Sequence, residues 1–189
     1  MRIPKTVAPT VERSLDDAII SRIAHGDMDA LHTLYDCVRG AVYGFALSIV
    51  KNTHDADDVL QETILKVYAN ATNYHPQGKP LGWIFTIARN LAMDKLRQER
   101  HSAPTDELSF AVDLHAVADT DDRILLQELL ATLTDEERQI LILHTVGGIK
   151  HREIAAVLGL PIGTVLSKYH RAVKRLKNAV KEEMNDDEP

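Results

Sequence analysis

The chain has one cysteine, Cys37, in 189 residues. A single thiol excludes an internal disulfide and fits a reducing compartment. Among apolar neighbours, Cys37 is expected as buried filler. Aromatic residues are scarce, 5 % against 44 % apolar in all, so the core must be mostly aliphatic and is expected to be helical. No apolar run approaches the ~18 residues of a membrane span, and no signal-peptide apolar stretch opens the chain. A soluble cytoplasmic protein is the expectation. No Gly-rich phosphate loop and no activated nucleophile is present, so neither a catalytic residue nor a cofactor is expected.

What the chain does have is charge sorted by position. Its net charge is −6. From Val146 to Lys181, however, eight Lys/Arg face one acid, Glu153. From Ser102 to Glu137, ten acids face one base, Arg123. A basic end on an acidic chain points to a polyanion partner, most simply nucleic acid.

The apolar pattern is helical. Leu31, Leu34, Tyr35, Val38, Val42, Phe45 and Ile49 recur at three- and four-residue steps. A second helix over 55–70 is expected to bury Ala56, Val59, Leu60, Ile64, Val67 and Tyr68. Two Pro and a Gly make 73–80 a loop, and a third long helix follows over 81–100. Residues 1–14 read as a loose arm and 102–121 as an acidic linker. A helix restarts at Asp121, and 183–189 form an acidic, frayed tail. Thr134-Asp-Glu-Glu137 matches a capping box. The fold class is therefore all-α: two small helical domains, 15–101 and 122–182, joined by an acidic linker, the second with a helix-turn-helix.

That motif lies in GIKHREIAAVLGLPIGTVLSKYHRAVKRLK, residues 148–177. Gly159 sits where the chain turns sharply, and glycine adopts positive φ at least cost. Pro161 falls near the first turn of the next helix, where a missing N–H is harmless. Ile162, Val165, Tyr169, Val173 and Leu176 are expected to form the buried stripe. Ser167, Lys168, Arg171, Lys174 and Arg175 then occupy other faces. Such a helix can enter a major groove, with its basic half at phosphates.

Two segments in order resemble one family. DADDVLQETILKVYAN (55–70) with GWIFTIARNLAMDKLR (82–97) is similar to domain two of bacterial RNA polymerase sigma factors of the sigma-70 family. LTDEERQILILHTVGGIKHREIAAVLGLPIGTVLSKYHRAVKRL (133–176) looks like their domain four. The short tether between them resembles the extracytoplasmic-function (ECF) group. The resemblance implies no catalysis and no metal. It implies core RNA polymerase and promoter DNA as partners, an anti-sigma factor as inhibitor, and help in melting the duplex.

The resemblance also assigns residues. Asp57, Asp58, Gln61, Glu62 and Leu65 would dock on core polymerase, and an outward leucine among acids suits a protein interface. Tyr74, His75 and Lys79 would capture an unpaired base of the −10 element. Trp83, Arg89, Asn90, Asp94 and Arg97 on the next helix would read its neighbours, with Lys95 holding phosphate. For Trp83 and Phe85 core packing is the favoured reading. Lys150, Arg152, Thr164, Leu166, Ser167, Lys168, His170, Arg171, Lys174 and Arg175 would meet the −35 element. Two departures stand out: Leu166 replaces a base after the Thr-Val pair, and Lys150 replaces a capping serine. The acids of 105–122 suggest a segment threading a basic channel of the polymerase.

Two rival readings compete. His54-Asp55, with Asp57 and Asp58 near, is a His-Asp pair as in metal-dependent phosphohydrolases, but such sites need more ligands from adjacent helices. A stand-alone helix-turn-helix regulator would bind duplex DNA without polymerase, leaving the acidic 55–70 face and the aromatic loop without purpose.

Overall fold

The computed structural model describes residues 15–102 and 130–186. The arm 1–14, the acidic linker, most of the helix expected from Asp121 and the last residues of the tail lie outside them. So does the segment read as threading a polymerase channel.

Seven α-helices and one 3-10 turn make up the described residues, with no strand among them. They are α1 (Asp17–Ala24), α2 (Met28–Val50), α3 (Thr53–Asn70), the 3-10 turn Ala71–Asn73, α4 (Pro80–Ser102), α5 (Asp135–Thr145), α6 (His151–Leu158) and α7 (Ile162–Asp186). The helix starts follow local chemistry. Asp16, Asp27 and Asn52 cap α1, α2 and α3 by accepting N–H bonds from Ala18, Ala30 and Asp55. Thr134 and Glu137 form the reciprocal capping box of α5. Lys150 begins α6 without a side-chain cap, in keeping with the missing serine. The helix α7 continues to Asp186, into the segment 183–189 expected as a frayed tail.

The helices α1 to α4 form one bundle. The expected stripe of α2 is its centre, with Leu34, Val38, Val42 and Phe45 fully buried. Phe45 meets Phe85 of α4 edge to face, with centroids 5.6 Å apart. Phe85 is thus core. The expected interior of α3 holds for Ala56, Val59, Leu60 and Val67, but not for Tyr68, which is 46 % exposed. It lies three residues from exposed Leu65, on the outer face. On α7, Val165 is buried as expected, whereas Ile162 is 45 % exposed and Ala172 is fully buried. A single turn ahead of Val165 overhangs the motif rather than entering it. Cys37 is half-buried.

The second unit does not stand apart. Ile140, Ile142, Leu143, Ile149, Ile154, Val157, Leu158 and Val165 join the same apolar cluster as Phe45 and Phe85. A smaller cluster of Leu130, Leu133, Leu141 and Ala172 lies on the other side of α5.

Two glycines make a test of backbone and space. A Cβ on Gly147 would sit 2.7 Å from the Leu143 carbonyl oxygen, whereas one on Gly40, inside α2, meets nothing within 4 Å. Gly147→Ala should therefore lower the denaturation midpoint. Gly40→Ala should raise stability by about 0.5–1 kcal/mol. Urea unfolding of the two variants checks both signs.

Candidate nucleic-acid interface

The helix-turn-helix is built by backbone chemistry. Gly159 takes φ 68° at the end of α6, and the Leu160 N–H returns to the Ala155 carbonyl at 3.0 Å. The Pro161 carbonyl then accepts from Thr164 and Val165 at 2.9 and 3.1 Å. Buried Ile154, Leu158 and Val165 set the angle between the helices. Thr164 is half-buried, and Leu166, Ser167, His170 and Lys174 are exposed on α7. Lys150 and Arg152 are exposed on α6. Leu166, 39 % exposed, presents an apolar tip suited to a thymine methyl. The Ser167 hydroxyl donates to the Thr164 carbonyl at 3.0 Å.

Three of the bases read as DNA contacts have partners inside the chain. Lys168 pairs with Glu136 at 2.7 Å, and Arg175 and Arg171 pair with Glu137 at 2.8 and 3.7 Å. The Glu137 side chain is 3 % exposed. Burial pushes its carboxyl up, but hydrogen bonds from Thr134 and the charges of Arg175 and Arg171 outweigh that and hold it below the usual range. Arg171 and Arg175 are therefore first the counter-charges of a buried acid, and their remaining exposed edges face solvent. Lys150, Arg152, Lys174 and Lys177 form no ion pair among the described residues.

An imidazole cluster fills the junction of α5, α6 and α7. His144 and His151 stack with centroids 4.2 Å apart, and Tyr169 meets both rings edge-on at 4.8 and 4.7 Å. His144 Nδ1 lies 2.9 Å from the Ile149 carbonyl, so that nitrogen carries the proton. His151 Nε2 is enclosed without a partner. Burial, then the neighbouring His144 and His170, pulls the His151 pKa down.

On α3, Asp57, Gln61 and Glu62 are exposed and Leu65 is 66 % exposed. Asp58 differs: Lys95 of α4 reaches it at 2.7 Å and Asp55 at 2.9 Å. The Lys95 hydrogen bond lowers the Asp58 pKa, and the same bonds raise that of Lys95. Asp58 thus joins α3 to α4, and Lys95 is committed to two carboxylates, a correction to its reading as a phosphate contact. His54, Asp55 and Asp58 bring ligand-type atoms within 4.8 Å of one another. The Lys95 ammonium pairs with both acids, which suits a salt-bridge knot rather than a metal centre.

The loop before α4 is pinned. The Tyr74 hydroxyl donates to Asp17 Oδ1 at 2.5 Å, and the Gly78 N–H donates to Asp17 Oδ2 at 2.6 Å. Burial and this bond push the Tyr74 pKa up. Tyr74 therefore anchors the loop through its hydroxyl while its ring lies 4.8 Å from that of Trp83. Sequence reasoning missed Asp17; its only signal was an acid in the first turn of α1, 57 residues from its partner. Tyr74, His75, Lys79 and Trp83 line an open cleft of about 500 Å³ together with Arg152 and Glu153 of α6. Arg89 is half-buried and Asn90 exposed farther along α4. Asp94 and Arg97 pair with each other at 2.9 Å.

Residues 34–102 match the family model Sigma-70 region 2, and residues 123–176 match Sigma-70, region 4. The ECF RNA polymerase sigma factor SigK of Mycobacterium tuberculosis (strain H37Rv) is 30 % identical over 87 % of this chain and 92 % of its own. The chain belongs to the ECF group of sigma-70 factors. SigK of Mycobacterium ulcerans is 29 % identical over the same shares. Among solved structures, CnrH in complex with the cytosolic domain of CnrY shares the fold at TM-score 0.62 and 22 % identity, over 88 % of this chain and 97 % of that one. RpoE of Bartonella quintana, in complex with the anti-sigma factor NepR, matches at TM-score 0.57 and 26 % identity, over 75 % and 90 %. A sigma factor binds core RNA polymerase, takes it to promoters and assists opening of the duplex. In this sigma factor region 2 holds most of α2 and all of α3 and α4, and region 4 holds α5, α6 and most of α7.

The imidazole stack of this sigma factor gives a pH dependence with a definite sign. The folded His151 pKa lies below the ordinary histidine value of about 6.5, so the unfolded chain binds the proton first. The stabilisation is complete above that value and is lost as pH falls through it toward the folded pKa. Melting temperature should drop between about pH 7.5 and about pH 5.5. His151→Phe, which keeps the stack without the titration, should flatten that drop in a calorimetric series.

Proposed function

We propose that the exposed α3 face carrying Asp57, Gln61, Glu62 and Leu65 docks on core RNA polymerase, with Asp58 fixing its orientation through Lys95. The observation that carries this is Leu65, 66 % exposed beside the exposed acids Asp57 and Glu62. An apolar side chain held in water on a rigid helix is stabilised by a partner that covers it. The pinned loop Tyr74–Lys79 and Trp83 take an unpaired −10 base, which stacks on an aromatic face and is ringed by polar groups. Asn90 and Arg89 lie farther along α4 and read neighbouring positions, and the Asp94–Arg97 pair presents a guanidinium at its edge. Thr164, Leu166, Ser167 and His170 address −35 base edges. Lys150, Arg152 and Lys174 neutralise phosphates; Lys168, Arg171 and Arg175 position α7 and add a long-range positive field.

The protein acts in the cytoplasm, where its polymerase is, and has no chemistry of its own: it binds and positions. The complex of the Bartonella quintana relative with the anti-sigma factor NepR supports an anti-sigma factor as a partner here too. The stand-alone regulator reading is disfavoured, because region 2 matches as well as region 4.

Two pairs of substitutions separate the surfaces. Asp57→Arg with Leu65→Ala should weaken binding to core polymerase by about tenfold or more, as expected for loss of an apolar anchor, with unchanged helicity. Fluorescence anisotropy against sigma-free core polymerase measures this, and unchanged affinity would move the docking face elsewhere. Lys150→Ala with Lys174→Ala should leave core affinity intact. In the holoenzyme it should reduce the log–log salt slope of promoter binding by about 0.9 per lost phosphate contact.

A further inference from the structure

The outward face of α7 changes character halfway along. Helix residues four apart share a face, and Ile162, Leu166, His170 and Lys174 recur at that step. All four are exposed. The first two are aliphatic and the last two polar. Ile162 and Leu166 belong to the few large apolar side chains left exposed among the described residues, at 45 % and 39 %. Gly163 lies beside them. A Cβ there would meet nothing within 4 Å, and its backbone is not in the left-handed region. Neither space nor conformation asks for a glycine, and alanine would favour the helix. A glycine that its own fold does not need lets another surface come close to the helix backbone.

The chemistry of this half of α7 limits what it can read. In the major groove guanine offers acceptors, adenine an acceptor and a donor, and cytosine a donor, whereas thymine adds a C5-methyl to its acceptor. Guanine is read by Arg or Lys and adenine by Asn or Gln. From Ile162 to Ser167 the chain has none of these. Ser167 donates its hydroxyl hydrogen to the Thr164 carbonyl at 3.0 Å, so its oxygen is left to accept. Thr164 is half-buried and Val165 fully buried. The first cation of the helix, Lys168, is held by Glu136 at 2.7 Å. Most of what this half presents is hydrocarbon. Ile162 and Leu166 are separated by a rise of about 6 Å, close to two steps of roughly 3.4 Å along a DNA strand.

We propose that Ile162 and Leu166 form an apolar ridge that reads thymine C5-methyls, and that the −35 element of this sigma factor carries thymines at neighbouring positions. This rests on the assignment of α7 to the −35 element and names what that helix selects. A methyl laid against the ridge leaves water together with it, which favours contact. A cytosine or guanine in the same place brings a polar edge that the ridge would desolvate without a partner. Selectivity at these positions comes from apolar burial and does not change with salt. His170 and Lys174 meet polar edges and phosphates farther along, and the phosphate contacts carry the salt dependence.

Deoxyuridine tests this directly, because it pairs as thymine does and lacks only the C5-methyl. The probe is a promoter found by 5′-mapping the transcripts that core polymerase with this chain makes on genomic DNA of the source organism. Each thymine of its −35 element, on either strand, is replaced in turn by deoxyuridine, and holoenzyme binding is measured by competition. Replacement at one or two neighbouring positions should weaken binding about fourfold each, as expected for one buried methyl, at low and high salt alike. Leu166→Ala and Ile162→Ala should each bind the thymine and deoxyuridine forms equally at one of those positions. Leu166→Met, which keeps an apolar tip, should retain the difference. Leu166→Lys should lose it and steepen the log–log salt slope by about 0.9. Tolerance of deoxyuridine throughout, a −35 element without thymine, or equal sensitivity in the wild type and both alanine variants would overturn the ridge and leave its side chains to a protein partner. If no transcript depends on the chain, the sigma reading fails. The ridge is then decided by selecting duplexes with the full chain from random pools made with thymine or with deoxyuridine: enrichment of neighbouring thymines in the first pool alone supports it, and equal enrichment in both overturns it.

Discussion

Four consecutive buried apolar residues, Ile140 to Leu143, constrain the whole arrangement. No single neighbour can cover a helix surface that runs all the way round. The α5 helix is therefore gripped by α7 on one side and by α2 on the other, while α4 packs on α6. The polar residues that lead into it serve both grips. Glu137 caps α5 and anchors Arg171 and Arg175 of α7. Asp135, two residues earlier, reaches back to Lys51 of region 2. Buried Arg138 donates to the Leu130 and Leu133 carbonyls at 3.0 Å each and closes the turn that precedes the helix.

Charge plays a different role from that suggested by a count along the chain. Eight bases near the end of the chain look like one DNA-binding stripe, but pairing divides them. Lys168, Arg171 and Arg175 balance acids of α5, and Lys150, Arg152, Lys174 and Lys177 form no ion pair among the described residues. A buried carboxylate is costly unless its charge is met, and the recognition helix supplies the counter-charge. Its position against α5 is thereby tied to Glu137. The same logic commits Lys95 to Asp55 and Asp58 on the other domain, joining α3 to α4.

Much of this was legible in the residues. The long α2 stripe, the loop before α4, the Thr134–Glu137 box and the Gly159 turn all follow from local rules of periodicity, capping and positive φ. Leu65 as an outward leucine was legible too, because the α3 stripe left it no place inside. Tyr68 and Ile162 were misplaced. Each sits at the edge of an apolar stripe, where a shift of one helical turn decides between core and surface, and only the neighbouring helices set that edge.

The sequence by itself determined the helical class, the order of the two units, the helix-turn-helix and the family, because each depends on residues near one another in the chain or on motif order. Only the tertiary structure decided which charges are satisfied internally, that Asp17 holds the loop through Tyr74 and Gly78, and that α6 faces Trp83 across an open cleft. These depend on distances between residues far apart in the chain. A side chain's partner over such separations is chosen by the packing of whole helices, to which no local pattern of residues has access.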